Sequence, residues 1–243
     1  MIILIRKRSL VRVFGFSVLL LCCILFQHDG STAVFGPIKL DIAPVTIVID
    51  PGHGGEDGGA VSVDGIKESK INLDISIRLN DLLRFTGFQT LMTRSQDISI
   101  SDDGLNTIRE RKASDLHNRV DLINQTENAL LLSIHQNSLP TSPVTHGAQA
   151  FWNHQAEAET MAAVMQDSLN SAINTGNEKH PRKISDSIYL MNHISVPGIL
   201  IECGFLSNAA ETSMLQNSSY QVKLAAAITS GYLRYAAGED LLP

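Results

Sequence analysis

The chain has little cysteine. There are three in 243 residues, and two of them, Cys22 and Cys23, lie inside an apolar N-terminal run. Cys203 is left alone in the body of the chain, and one thiol forms no internal disulfide, so the domain relies on its core for stability. The apolar flanks of Cys203 mark it as a small buried hydrophobe rather than a reactive thiol. Positive charge is also scarce: 19 Lys and Arg stand against 25 Asp and Glu, for a formal net charge of -6. That balance excludes a basic surface for non-specific nucleic-acid binding. Internal repeats and low-complexity tracts are missing, which excludes a solenoid or a biased linker protein.

What is present is a globular balance, 44% hydrophobic and 18% charged, in a length that suits one domain. Arg6, Lys7, Arg8 and Arg12 precede an apolar stretch from about Val13 to Phe26, followed by the small residues "GSTA". The apolar stretch is shorter than the ~20 residues of a full membrane span. Residues 1–33 therefore read as a signal peptide or an N-terminal membrane anchor, with cleavage after Ala33 as one outcome. A buried N-terminal helix is the other reading. A lipid-modified Cys22 is disfavoured by Leu21, which is large for the position before such a cysteine. Residues 34–44, with Gly36, Pro37 and Pro44, form a tether, and residues 45–237 form one domain. The location expected is extracytoplasmic, with the membrane met only through the N-terminal segment.

Strand-like and helix-like patterns alternate along the domain. "VTIVID", "FQTLMTR", "ALLLSI", "GAQAFW", "SIYLM" and "GILIE" read as strands. Ile71, Ile75, Leu79 and Leu82 recur at helical spacing ahead of a stop at Gly87. Further helices are expected in "KASDLHNRVDLINQ", "AEAETMAAVMQDSLNSAI" and "YQVKLAAAITSGYLRYA", where Leu224, Ile228 and Tyr232 make a core stripe. This order predicts an α/β fold: a single domain with a mostly parallel six-stranded sheet flanked by helices on both faces. In such sheets the working residues gather beyond the carboxyl ends of the strands. His53, His135 and Glu202 all fall at such ends.

The first of these ends, "IVIDPGHGGEDGGA", has two readings. A phosphate cradle needs G-x-G-x-x-G or a terminal Gly-Lys-Ser/Thr. Here Asp57 occupies the last glycine position, Glu56 adds a second carboxylate, and no lysine offsets them. Two negative charges repel a phosphate at short range. A metal reading fares better, because glycines expose the imidazole of His53 and zinc accepts histidine nitrogen and carboxylate oxygen. His53 and His135 supply two ligands. Glu56, Asp57, Asp64 and Glu68 are candidates for the third, with Glu68 favoured only by its place at the start of a helix. Glu202, a carboxylate after three aliphatic residues, is costly without a task and suits general acid-base work beside an activated water. His28, His117, His146, His154, His180 and His193 read as surface residues.

Four ordered motifs, "IVIDPGHGGEDGGA", "KES", "LLLSIHQNS" and "VPGILIECGFLSN", resemble those of the zinc-dependent N-acetylmuramoyl-L-alanine amidases of the amidase-3 group. The resemblance runs from about Val45 to Tyr235. Within the group, the short N-terminal segment and the lack of a wall-binding module resemble the CwlD type. The resemblance implies zinc (Zn2+) held by His53, Glu68 and His135, with Glu202 as the catalytic glutamate. It implies the group's α/β fold and hydrolysis of the amide between N-acetylmuramic acid and L-alanine of the peptidoglycan stem peptide. For the CwlD type it also implies a role in spore cortex maturation, where a partner deacetylase acts on the same substrate to form muramic δ-lactam. Gln136 departs from the small residues common in the group and is expected to alter the cleft wall and meet substrate. Arg182 or Lys183 is expected to meet a stem-peptide carboxylate. A zinc peptidase of the stem peptide and a non-catalytic wall-binding regulator are the rival readings.

Overall fold

The computed structural model describes residues 45–241. The expected signal or anchor and the tether lie outside the described residues. Among the described residues no helix is long and apolar enough to cross a membrane.

Buried aliphatic runs make the central strands. β1 (Thr46–Pro51), β3 (Ala129–Asn137) and β6 (Gly198–Phe205) are inaccessible along most of their length, as expected of strands covered on both faces. β2 (Gln89–Met92), β4 (Gln149–Trp152) and β5 (Arg182–Lys183) complete a six-stranded sheet in the order β2-β1-β3-β6-β4-β5. All pairings are parallel except β4 with β6. The helices are α1 (Glu68–Phe85), α2 (Ile108–Gln125), α3 (Ala158–Ala172), α4 (Tyr189–His193), α5 (Ala209–Leu215) and α6 (Ser218–Ala236). Local chemistry sets their ends. Thr107 and Glu110 form a reciprocal capping box that starts α2, and Gly87, at φ +94°, takes the left-handed turn just after α1.

The sheet divides the core in two. Ile47, Ile49, Leu130, Leu132, Ile134, Ile199 and Ile201 point to one face, where α1, α3 and α6 cover them. The expected stripe of Leu224, Ile228 and Tyr232 lies in this layer. Val48, Leu131 and Leu200 point to the other face, against Val120 and Ile123 of α2 and Leu190 and Met191 of α4.

Two element expectations are corrected. "SIYLM" is no strand: Tyr189–His193 forms the short helix α4. Leu190, Met191 and Ile194 enter the second core layer from it, a spacing a helical turn satisfies and a strand does not. The sixth strand is instead Arg182–Lys183, two exposed residues at the sheet edge. α5 is a further element that the periodicity does not announce.

Candidate active site

The site forms where β1, β3 and β6 end. In the parallel register His135 of β3 pairs with Glu202 of β6. By alternation, Asp50, Ser133, His135 and Glu202 all face the α2 and α4 side, at the end of the thinner core layer. They line one cleft of about 400 Å3 together with His53, Glu68 and the segment Ser187 to Met191.

Glu68 sits at the centre. It is the first residue of α1 and is 3% exposed, and the positive end of the helix dipole favours a carboxylate there. Its Oε1 lies 2.9 Å from His135 Nδ1 and its Oε2 lies 3.4 Å from His53 Nε2. One ligand atom from each of His53, Glu68 and His135 falls within 4.8 Å of the other two. Two imidazoles and one carboxylate, open to a cleft, fit a three-ligand catalytic zinc site. The remaining carboxylate candidates are placed otherwise. Glu56 pairs with Arg111 at 2.6 Å, and Asp64 is exposed. Asp57 Oδ2 lies 2.9 Å from His53 Nδ1, so it orients the imidazole from behind. Lys112 Nζ approaches the same Asp57 oxygen at 2.9 Å.

Neighbouring groups hold this ring firmly. Glu68 Oε2 accepts from the Ala60 backbone N–H at 2.8 Å. Glu68 Oε1 accepts from Asn72 Nδ2 at 3.2 Å and from the Gln136 N–H at 3.0 Å. His53 has φ +63°, a left-handed backbone that is strained for a residue with a side chain. Two buried arginines clamp that turn through its carbonyls. Arg94 Nε donates to Pro51 O at 2.9 Å and its Nη2 to Gly52 O at 3.1 Å. Arg119 Nη2 donates to His53 O at 2.8 Å. Arg119 also pairs with Asp115 at 2.7 Å and with Asp50. Asp50 accepts in addition from Thr93 and Ser133 hydroxyls, at 2.7 and 2.8 Å. Glycine is required at two points. A Cβ on Gly52 would fall 2.2 Å from the His135 ring, and one on Gly59, where φ is +67°, would fall 2.5 Å from Glu68 Oε2.

Residues 47–234 match the Amidase_3 family model, described as N-acetylmuramoyl-L-alanine amidase. The chain belongs to the amidase-3 family. It is 39% identical over 225 residues to the germination-specific N-acetylmuramoyl-L-alanine amidase of Bacillus subtilis, covering 92% of each chain. It is 31% identical to the amidase LytC of the same organism, over 84% of this chain and 38% of that one. Among solved structures, the CwlD amidase of Clostridioides difficile, in complex with the GerS lipoprotein, superposes with a TM-score of 0.77 at 32% identity. That match covers 80% of this chain and 100% of the other. The chain is accordingly an N-acetylmuramoyl-L-alanine amidase that acts on peptidoglycan.

In this amidase the charged groups differ in state. Burial raises the carboxyl of Glu202 to about 7, partly offset by the nearby histidines, and its Oε2 is buried without a hydrogen-bond partner. Burial also works against the charge of Glu68, but hydrogen bonds from His135 and His53 outweigh it and hold the group ionised well below the usual range. For His53 burial lowers the value, while Asp57 and Glu68 more than reverse that, to about 9. The carboxylates around the ring thus favour positive charge between them.

Gln136 is among the residues that line the cleft, but its side chain does not point into it. Strand alternation turns its side chain to the other face, where it is 2% exposed and Nε2 donates to Asn72 Oδ1 at 3.1 Å. Its part is to support Asn72, and through it Glu68. Arg182 and Lys183 are exposed on β5, two strands beyond β6, and are not among the cleft-lining residues. Cys203, next to Glu202 but on the opposite face, is fully buried, and burial pushes its thiol far up. His117, His146, His154, His180 and His193 are exposed, and His28 lies outside the described residues. Sequence reasoning missed Asp50, Arg94 and Arg119. The available signal was a carboxylate closing a buried strand, and an Asp115–Arg119 pair one turn apart on the inner side of a helix.

Proposed function

We propose that His53, Glu68 and His135 hold Zn2+. On this reading the chain hydrolyses the amide between the lactyl group of N-acetylmuramic acid and the L-alanine of the stem peptide. The observation that carries it is the register pairing of His135 with Glu202, which sets a poorly solvated carboxylate beside a His–Glu–His triangle. Zinc, when bound, supplies a Lewis acid that polarises a carbonyl and acidifies water. Glu202 accepts a proton from the attacking water and returns it to the departing L-alanine nitrogen. A carboxyl lifted towards neutrality suits both transfers. Asp57 keeps the outer nitrogen of His53 occupied, and Asn72 and Gln136 keep Glu68 in place. Cleavage leaves a lactyl carboxylate on the sugar and a free amine on the peptide.

The likeness to a germination-specific amidase supports a role in spore cortex maturation. Stripped muramic acid carries the free lactyl carboxyl that a δ-lactam needs, and removal of its acetyl group frees the amine. A deacetylase therefore enters as the enzyme that acts next on the product. The partner seen on the C. difficile relative is a lipoprotein and not a deacetylase, so the deacetylase is proposed from the chemistry of the product alone. Such a substrate lies outside the cytoplasmic membrane, where the N-terminal segment would deliver or anchor the domain.

The test is metal analysis of the purified chain coupled to digestion of isolated peptidoglycan. One zinc per chain, with new L-alanine amino termini and intact muramic acid, is expected. Cleavage within the stem peptide, or full activity without zinc, would sink the proposal.

A further inference from the structure

The two sides of the cleft differ in charge. On one side are Lys112, tied to Asp57, and Arg111, tied to Glu56. This side continues into an adjoining hollow of about 250 Å3 that Asp97 also lines. On the other side the lining segment Ser187 to Met191 carries no charged side chain. Ile188 is 37% exposed there. Tyr189 is half-buried and braced by two imidazoles. The His193 ring stacks on it at 3.8 Å and 18°, and the His117 ring of α2 stands 5.2 Å away. Both imidazoles are fixed, since each Nδ1 bonds the carbonyl four residues back, at 2.8 Å for His193 and 2.7 Å for His117. α2 thus lines the cleft with Lys112 and, about 7.5 Å further along its axis, braces Tyr189 with His117.

The substrate of the reaction is divided in the same way at its scissile amide. One half is a neutral N-acetylated sugar whose ring face consists of C–H bonds. The other half is a peptide bearing carboxylates and amines. Neutral C–H faces pack on rigid aromatic and aliphatic surface, and charged groups are better placed beside exchangeable ion pairs. We propose that the Ile188–Tyr189 lip is the sugar subsite, taking the N-acetylhexosamine next to the scissile amide with Tyr189 as its platform. This assignment rests on the amidase reading of the same site.

The test uses the zinc-loaded full-length chain, a peptide-free tetrasaccharide of alternating N-acetylglucosamine and N-acetylmuramic acid, and a free stem tripeptide. Binding of each is measured by calorimetry for wild type, Tyr189→Phe and Tyr189→Ala. Wild type and Tyr189→Phe are expected to bind the tetrasaccharide alike, and Tyr189→Ala about tenfold more weakly, with no matching loss for the tripeptide. Equal tetrasaccharide binding by Tyr189→Ala, no binding by wild type, or a parallel loss of both ligands would overturn the assignment. Amide cleavage of whole peptidoglycan by the same wild-type preparation separates the two ideas. If cleavage is present and the tetrasaccharide result is negative, only the sugar subsite falls. If cleavage is absent, the amidase reading of the site falls first.

Discussion

The two faces of the central sheet are made from the same strands and do different work. On the face covered by α1, α3 and α6, β3 and β6 contribute Leu132, Ile134, Ile199, Ile201 and Cys203, all fully buried. On the face covered by α2 and α4 the same strands start with Leu131 and Leu200, then change to Ser133, His135 and Glu202. The apolar face stays hydrophobic to Ile134 on β3 and to Cys203 on β6, with buried Gln136 following on β3, whereas the other face runs out of hydrophobic residues earlier and opens there. A two-residue period therefore lets one short segment specify packing and chemistry at once. Substitutions one residue apart should then affect stability or activity separately.

The largest separation is expected at Glu202. Glu202→Gln keeps the shape and removes the proton acceptor, so hydrolysis should fall about 1,000-fold while zinc content stays at the wild-type level. Stability should respond to pH with a definite sign. Burial places the folded carboxyl near 7, above its ordinary 4.5, so its contribution is present at low pH and is lost as pH rises through about 7. In metal-free protein, Glu202→Gln should remove that decline. Denaturant midpoints at pH 5 and pH 8 for both proteins would show it. An unchanged turnover would remove Glu202 from the chemistry.

Arg119 shows that the site face has a structural cost of its own. Arg119→Ala leaves the Asp50 carboxylate buried and unpaired, which is expected to cost about 3–5 kcal/mol. The Asp50 carboxyl, against which burial works and which Arg119, Thr93 and Ser133 hold near 2, should then titrate higher. Replacing Asp50 as well, in Asp50→Asn with Arg119→Met, should recover part of the loss, because the unpaired charge at Asp50 is gone, while Asp115 keeps the Ser99 hydroxyl and the Ile100 N–H as donors. Chemical denaturation of the three variants measures this. A double variant no more stable than Arg119→Ala would show that the carbonyl clamp on the His53 turn, rather than the charge pair, carries the energy.

These residues also mark how far the sequence alone could be read. β1, β3 and β6 were legible because buried aliphatic runs have few alternatives, and the polar residues that close them pointed to the site. Glu68 was not separable from Glu56, Asp57 and Asp64 on chemistry. Its distinction is three-dimensional, a helix start that bridges two histidines from different strand ends, and the family likeness supplied it. Arg119 looked like any charged residue on a helix, since its partner Asp50 lies 69 residues away. "SIYLM" misled because a short β-branched and aromatic run fits a strand and a helical turn equally. Arg182–Lys183 carries no apolar alternation and is a strand only through its pairing with β4. Gln136 lines the cleft, but the alternation of β3 turns its side chain away from His135 and towards Asn72, a direction that its residue type alone does not announce.

On the apolar face, Ile201→Ala should cost about 3 kcal/mol through lost burial and the cavity left behind. Ile201 precedes Glu202 and points the opposite way, so turnover per folded molecule at low temperature should stay near wild type. Thermal unfolding and initial rates at about 10–15 °C below the variant's midpoint, a margin worth roughly three to seven kcal/mol at about 2–4 °C per kcal/mol for a domain of this size, test the pair of statements together. A large loss of turnover in folded protein would mean the two faces are coupled through the strand.

Cys203 gives the smallest expected effect and the finest division between the faces. It follows Glu202 directly, yet its side chain is fully buried among the apolar residues of the opposite layer. Burial pushes its thiol well above the ordinary range, so the thiolate needed for reaction is scarce at neutral pH. Cys203→Ala removes one sulfur atom from a packed layer and should cost about 1 kcal/mol. Hydrolysis should be unaltered, and Cys203 of the native wild-type protein, followed by mass spectrometry of its peptide, should resist alkylation until the domain is unfolded. Rapid alkylation of Cys203 in the folded chain, or a loss of turnover in Cys203→Ala, would show that the wall between core and site is thinner than the alternation of the strand implies.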